Sequence, residues 1–214
     1  MKFYSPTLQD FSEKIPKSMV ILLHGWGSHG QDLLPLAEIW QAHLPDTIFL
    51  SLEAHDICDQ NPFGFQWFAL GDWSDDVFRA GAEKARKPIS DFLEMKISEY
   101  NLPPEKVILM GFSQGMMMAL SVGLRQKKKI GGILGYSGAL IDSESDLAET
   151  FSKPDICLIH GTADTVVPSD RHDEAVKWLQ EHDYNVESLK IPGLSHSIEQ
   201  LGLQKGLEFM SRLK

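Results

Sequence analysis

At 214 residues the chain has the size of one ordinary domain, long enough to bury a core without help from metals or disulfides. Its 43% hydrophobic and 23% charged residues are the proportions of a water-soluble globular protein. Against 30 Asp and Glu stand only 20 Lys and Arg, a formal net charge of −10, which disfavours nucleic acid and anionic membrane surfaces as principal partners.

The amino-terminal decapeptide carries charge and proline where a secretory signal needs an apolar core, and no run elsewhere is long enough to span a bilayer, so a cytoplasmic address is expected. Met19 to Leu23 is a continuous apolar run that reads as a strand buried on both faces. A glycine-rich loop, His24 to Gly30, leads into a helical pattern from about Gln31 to Leu44. A second strand is expected at Thr47 to Leu52. Glu53 to Trp73 then shows little periodicity and many aromatics, as a long functional loop or lid would.

Asp75 to Tyr100 is helical in pattern, with Pro88 expected to bend or split it. Val107 to Met110 is the next strand, and helix-compatible sequence follows from Met116 to Leu124. Arg125 to Lys129 closes that helix with a basic run that complements its dipole. Further strands are expected at Gly131–Tyr136, Asp155–His160 and Val186–Ile191, with helices at Ser169–His182 and Ser197–Leu213. Strands and helices therefore alternate over residues 1–214, which argues for a single α/β domain with a mostly parallel sheet covered on both faces.

Between the strand ending at Met110 and the helix that follows stands Gly111-Phe-Ser-Gln-Gly115. A serine at the apex of a sharp strand-to-helix turn is held clear of the sheet, and residues two before and two after must then be small. The adjacent helix N-terminus can stabilise charge developing on a substrate oxygen. The pattern fixes only three positions, however, and an exposed serine of no consequence on a tight turn fits it too.

The other strand ends decide. In open α/β sheets, working residues gather at the carboxyl ends of the strands. Past the expected strands come His24-Gly-Trp26, Ser113, Gly161-Thr-Ala-Asp164 and Gly193-Leu-Ser-His196. A nucleophile, an acid and an imidazole thus arrive on one edge in the order Ser, Asp, His, the order of α/β-hydrolases. His196 would take the Ser113 proton, Asp164 would orient the imidazole, and the backbone N–H groups of Gln114 and Trp26 would face the oxyanion.

Six segments together resemble the phospholipase/carboxylesterase family, which includes the acyl-protein thioesterases. They are His24-Gly-Trp-Gly27, Gln66-Trp-Phe68, Gly111 to Gly115, Tyr136 to Leu140, His160 to Pro168 and Gly193 to Ser197. The resemblance implies an α/β-hydrolase fold without a large cap domain, with catalytic Ser113, Asp164 and His196 and oxyanion donors on Trp26 and Gln114. It also draws Trp67 and Phe68 toward the site as substrate-binding residues. Two positions depart from the family: Trp26 stands where the acyl-protein thioesterases usually have leucine, and Met116 where a second glycine often follows the elbow. The latter puts close helix-to-strand packing in question.

Simpler readings stand beside several of these. Asp142, Asp155 and Asp170 could also orient a histidine, but Asp155 precedes its strand and Asp170 suits a first helical turn. His24 ends a strand and is structural in the family. His55, Asp56, Cys58 and Asp59 match no metal spacing, and Cys157 reads as core. Met116, Met117 and Met118 point about 100° apart, as on a helix packed from several sides. The aromatics from Phe63 to Trp73 either line an acyl pocket or pin a loop.

The expected protein is a serine esterase, acting also on thioesters, without metal or cofactor, taking a small-molecule or acylated substrate, as a monomer or weak homodimer. A preference for long acyl chains (protein thioester or lysophospholipid) and a catalytically silent binding module are the alternatives.

Overall fold

The computed structural model describes residues 1–6, 14–71, 73–141 and 152–213. Among these, β1 (Phe3–Tyr4), β2 (Ser18–Leu23), β3 (Thr47–Leu52), β6 (Val107–Phe112), β7 (Gly132–Tyr136), β8 (Asp155–Gly161) and β9 (Val186–Ile191) build one sheet in the order β1-β3-β2-β6-β7-β8-β9. Only β1 runs antiparallel. A separate hairpin pairs β4 (Asp56–Ile57) with β5 (Phe65–Gln66). The helices are α1 (Leu34–Gln41), α2 (Asp75–Glu99), α3 (Gln114–Gly123), α4 (Asp170–Glu181) and α5 (Gln200–Met210).

The apolar runs form central strands because each side of the sheet is covered. In β2, Met19, Ile21 and Leu23 join the core beneath α2, α3 and α4, while Val20 and Leu22 join the core beneath α1 and α5. In β6, Val107 and Leu109 face the first core and Ile108 and Met110 the second. Trp40 and Tyr136 fasten α5 to the second face, the indole N–H donating to Leu203 O at 3.1 Å and the phenol to Gly202 O at 2.9 Å.

Three expectations are corrected here. Pro88 does not split its helix: α2 is continuous, and Phe78, Ala82, Ile89, Phe92 and Leu93 on either side of the proline are buried together. That shared apolar face keeps the helix continuous across the missing N–H. The segment expected as a helix from Gln31 opens with a 3-10 turn, Gly30–Leu33, before α1. β1 was not expected at all; it is held by Glu53, which accepts from Tyr4 Oη at 2.8 Å and Lys2 Nζ at 3.1 Å.

Candidate active site

β6 hands the chain to α3 through Ser113, whose backbone sits at φ 55° and ψ −120°. This is sparsely populated for a residue with a side chain, and it is held by contacts from the sheet. The Ser113 N–H donates to Tyr136 O at 2.8 Å, and its carbonyl accepts from Met116 N at 2.9 Å. The neighbouring glycines are sterically required: a Cβ on Gly111 would lie 2.2 Å from Gly115 O, and one on Gly115 would lie 1.9 Å from Leu23 O.

Asp164 stands on the turn after β8, with its side chain fully buried, and His196 on the loop between β9 and α5. His196 Nδ1 lies 2.7 Å from Asp164 Oδ2, and His196 Nε2 lies 3.0 Å from Ser113 Oγ. A carboxylate can only accept, so Nδ1 carries the proton and the bare Nε2 accepts the serine hydroxyl. Asp164 Oδ1 accepts the N–H groups of Val166 and Val167, each at 2.9 Å, which fixes the carboxylate plane. Behind it the buried His160 donates from Nε2 to Val167 O at 2.9 Å and approaches Asp164 Oδ2 at 3.3 Å.

The two amides expected to face an oxyanion flank Ser113. Gln114 is the first residue of α3, where an N–H has no intrahelical partner, and Trp26 lies on the loop after β2. Among the described residues neither amide donates to a protein acceptor. Side chains around them are tied to one segment: Gln66 Oε1 accepts the Trp26 indole N–H at 2.9 Å, and the Gln114 amide bridges Trp67 N at 2.9 Å and Phe68 O at 2.7 Å.

Trp67 and Phe68 were expected to contact substrate, and here the structure differs. Both are buried and neither lines the cavity at Ser113. The Trp67 indole donates to His24 O at 2.8 Å, and Phe68 packs on Phe78. Their rings belong to the core while their backbone atoms hold the Gln114 side chain. The cavity, about 440 Å³, is lined instead by Leu70, Trp73, Phe78, Met117, Val166, Val167 and Pro168, with Ser113 and His196 in its wall. Trp73 was among the aromatics expected either to line an acyl pocket or to pin a loop, and it lines the cavity, whereas Leu70 and Phe78 lay unmarked in the sequence. Met117 corrects the reading of the three methionines as packing only. Met116 does pack closely: Gly135 and Gly138 leave room for it, a Cβ on either falling 2.7 Å from its side chain.

Two of the alternative acids fall away by position: Asp155 opens β8 at the opposite edge, and Asp170 sits in the first turn of α4. The third, Asp142, is not among the described residues. His24 is buried, donating from Nδ1 to Gly25 O at 2.7 Å and accepting Ala54 N–H on Nε2 at 3.0 Å, so both ring nitrogens are engaged. Burial lowers its pKa. Cys157 is buried in β8, its thiol pushed up to about 12 by desolvation. His55 pairs with Asp56 on the surface, and no group of three or more His, Cys, Asp or Glu among the described residues is placed to hold a metal.

The sequence model of the phospholipase/carboxylesterase family matches residues 11–214. The chain belongs to the phospholipase/carboxylesterase family. Acyl-protein thioesterase 1 of Neurospora crassa is 30% identical to it, over 83% of this chain and 79% of that protein, and that of Gibberella zeae is 29% identical over 83% of each. Esterase PE8 superposes with a TM-score of 0.89 at 38% identity, covering 93% of this chain and 94% of its own. These likenesses carry the α/β-hydrolase fold assignment: a mostly parallel sheet with no large separate cap domain among the described residues. No helix of the described residues is long and apolar enough to cross a membrane.

Proposed function

We propose that this member of the phospholipase/carboxylesterase family is a serine hydrolase that cleaves carboxylic esters and thioesters through an acyl-enzyme, residues 1–214 acting as one unit. The carrying observation is the hydrogen-bonded line from Asp164 through His196 to Ser113, ending at an apolar cavity beside two backbone amides. In acylation, Ser113 Oγ bonds to the substrate carbonyl carbon as its proton passes to His196 Nε2. The carbonyl oxygen becomes an oxyanion facing the N–H groups of Trp26 and Gln114. The bond to the leaving oxygen or sulfur then breaks, and that atom takes the proton from His196. Water repeats the sequence in reverse roles, releasing the acid and restoring the serine.

No step requires a metal or organic cofactor. Sequence similarity to acyl-protein thioesterases supports the thioester half of the reading, and similarity to esterase PE8 the ester half. Partners are small-molecule or acylated substrates, the net charge of −10 being unsuited to nucleic acid, and the working site is the cytoplasm.

The test is turnover of p-nitrophenyl butyrate together with labelling by a fluorophosphonate probe. Ser113→Ala should lower kcat by on the order of 10⁶ and remove labelling while the circular dichroism spectrum is unchanged. Undiminished turnover in that variant sinks the proposal. A wild-type chain that neither hydrolyses the ester nor takes the label would be a silent binding module.

A further inference from the structure

We propose that Asp75 and Arg171 form a strap across the mouth of the cavity and set the length of the acyl chain it admits, an inference that rests on the acyl-hydrolase reading above. The cavity has two apolar walls from distant parts of the chain, Trp73 and Phe78 on one side and Val166 to Pro168 on the other. Asp75, the first residue of α2, lies between Trp73 and Phe78, Arg171, the second of α4, lies three residues beyond Pro168, and both line the same cavity. Arg171 Nη2 donates to Asp75 Oδ1 at 2.6 Å and Nη1 to Oδ2 at 3.3 Å, a two-point contact that fixes the spacing of the walls. Glu174 Oε2 lies 3.4 Å from Nη1 and keeps the guanidinium over this rim.

The pair is placed to discriminate because of what surrounds it. Trp73 and Val166, one on each wall, are 52% and 50% exposed, apolar surface that a longer chain would cover. To reach it, the chain must either run against a charged pair, stripping its water, or part the strap. Asp75 and Arg171 side chains are 49% and 29% exposed, so the contact is screened by salt and can open. Acyl groups short enough to stay inside feel none of this.

The experiment measures the ratio of kcat/KM for p-nitrophenyl decanoate to that for the butyrate in the wild type, Arg171→Gln, Asp75→Asn and the exchanged double variant Asp75→Arg/Arg171→Asp. Each single variant should raise the ratio by about tenfold through a gain in kcat/KM for the decanoate, and the exchange should return it toward the wild-type value. Higher ionic strength should raise the wild-type ratio and leave the single variants unmoved. A ratio unaltered in both single variants, or an exchanged pair that behaves like them, overturns the strap. If the wild type hydrolyses neither ester, the hydrolase reading fails separately. The strap is then judged on Ser113→Ala by tryptophan fluorescence titration with decanoate and butyrate: adding Arg171→Gln should tighten decanoate by about tenfold and leave butyrate unchanged, and equal affinities overturn it.

Discussion

Ser113 holds a φ of 55° that its side chain disfavours, and the surrounding backbone bonds, not the residue's own preference, keep it there. The same over-determination governs Asp164. Its Oδ1 is committed to two backbone N–H groups, which leaves Oδ2 for His196 and, at 3.3 Å, for His160. Replacing Asp164 by Asn therefore has a defined consequence. The amide oxygen would stay with Val166 and Val167, and the amide NH₂ would turn to His196 Nδ1. Nδ1 must then accept, Nε2 must carry the proton, and the imidazole can no longer take one from Ser113. We expect Asp164→Asn to lower kcat by on the order of 10⁴ at neutral pH. Fluorophosphonate labelling should slow in parallel and the thermal midpoint should change little. A variant that labelled at the wild-type rate would remove the tautomer argument.

At the scale of elements, β5 and the residues after it do what the sequence did not disclose. Gln66, the last residue of β5, accepts the Trp26 indole, and the backbone of Trp67 and Phe68 clasps the Gln114 side chain. The two residues proposed to offer their N–H groups to the oxyanion are thus braced by one short segment. Gln66→Ala should lower kcat about tenfold and leave KM within about twofold, because an oxyanion amide serves the transition state more than the ground state. Steady-state kinetics on the butyrate ester decide it; a rise in KM alone would mean that Gln66 acts on binding. The Gln114 half of the brace was hidden from sequence because it uses main-chain atoms of Trp67 and Phe68, which every residue carries, across 46 and 47 positions of separation. The elbow was legible for the opposite reason, its glycines being forced by backbone contacts at Gly115 O and Leu23 O that admit no other residue. The central strands were legible too, as two-sided burial leaves a continuous apolar run such as Met19 to Leu23. The two-residue β1 shows no period, and Pro88 inside α2 obeys the helix's buried face over its own local preference.

For the whole molecule, parallel order around β6 brings the ends of β2, β6, β8 and β9 to one edge, and the helices packed on that sheet bury histidines whose titration should weaken the fold in mild acid. His172 on α4 is buried against β9, its Nε2 2.8 Å from Ser188 Oγ and its Nδ1 without a partner among the described residues. Burial, then the neighbouring His160, push its pKa down to about 4; Asp173 opposes the shift and Lys190 adds slightly to it. Such a base is neutral in the folded chain and has an ordinary pKa of about 6.5 when unfolded. Its contribution to stability is therefore complete above pH 6.5 and is lost as the pH falls toward 4, a loss of up to about 3 kcal/mol. His24, lowered by burial, acts in the same direction. The carboxylates held down to about 2, Asp46 and Glu187, have depressed acid pKa values, so their contribution is lost below the ordinary carboxylate range and belongs to a lower pH window. Urea midpoints should accordingly decline between pH 6.5 and 4, and His172→Gln, which can keep a hydrogen bond to Ser188 without titrating, should decline less over that interval. Equal slopes for the wild type and His172→Gln would show that His172 is not what makes the fold yield to mild acid.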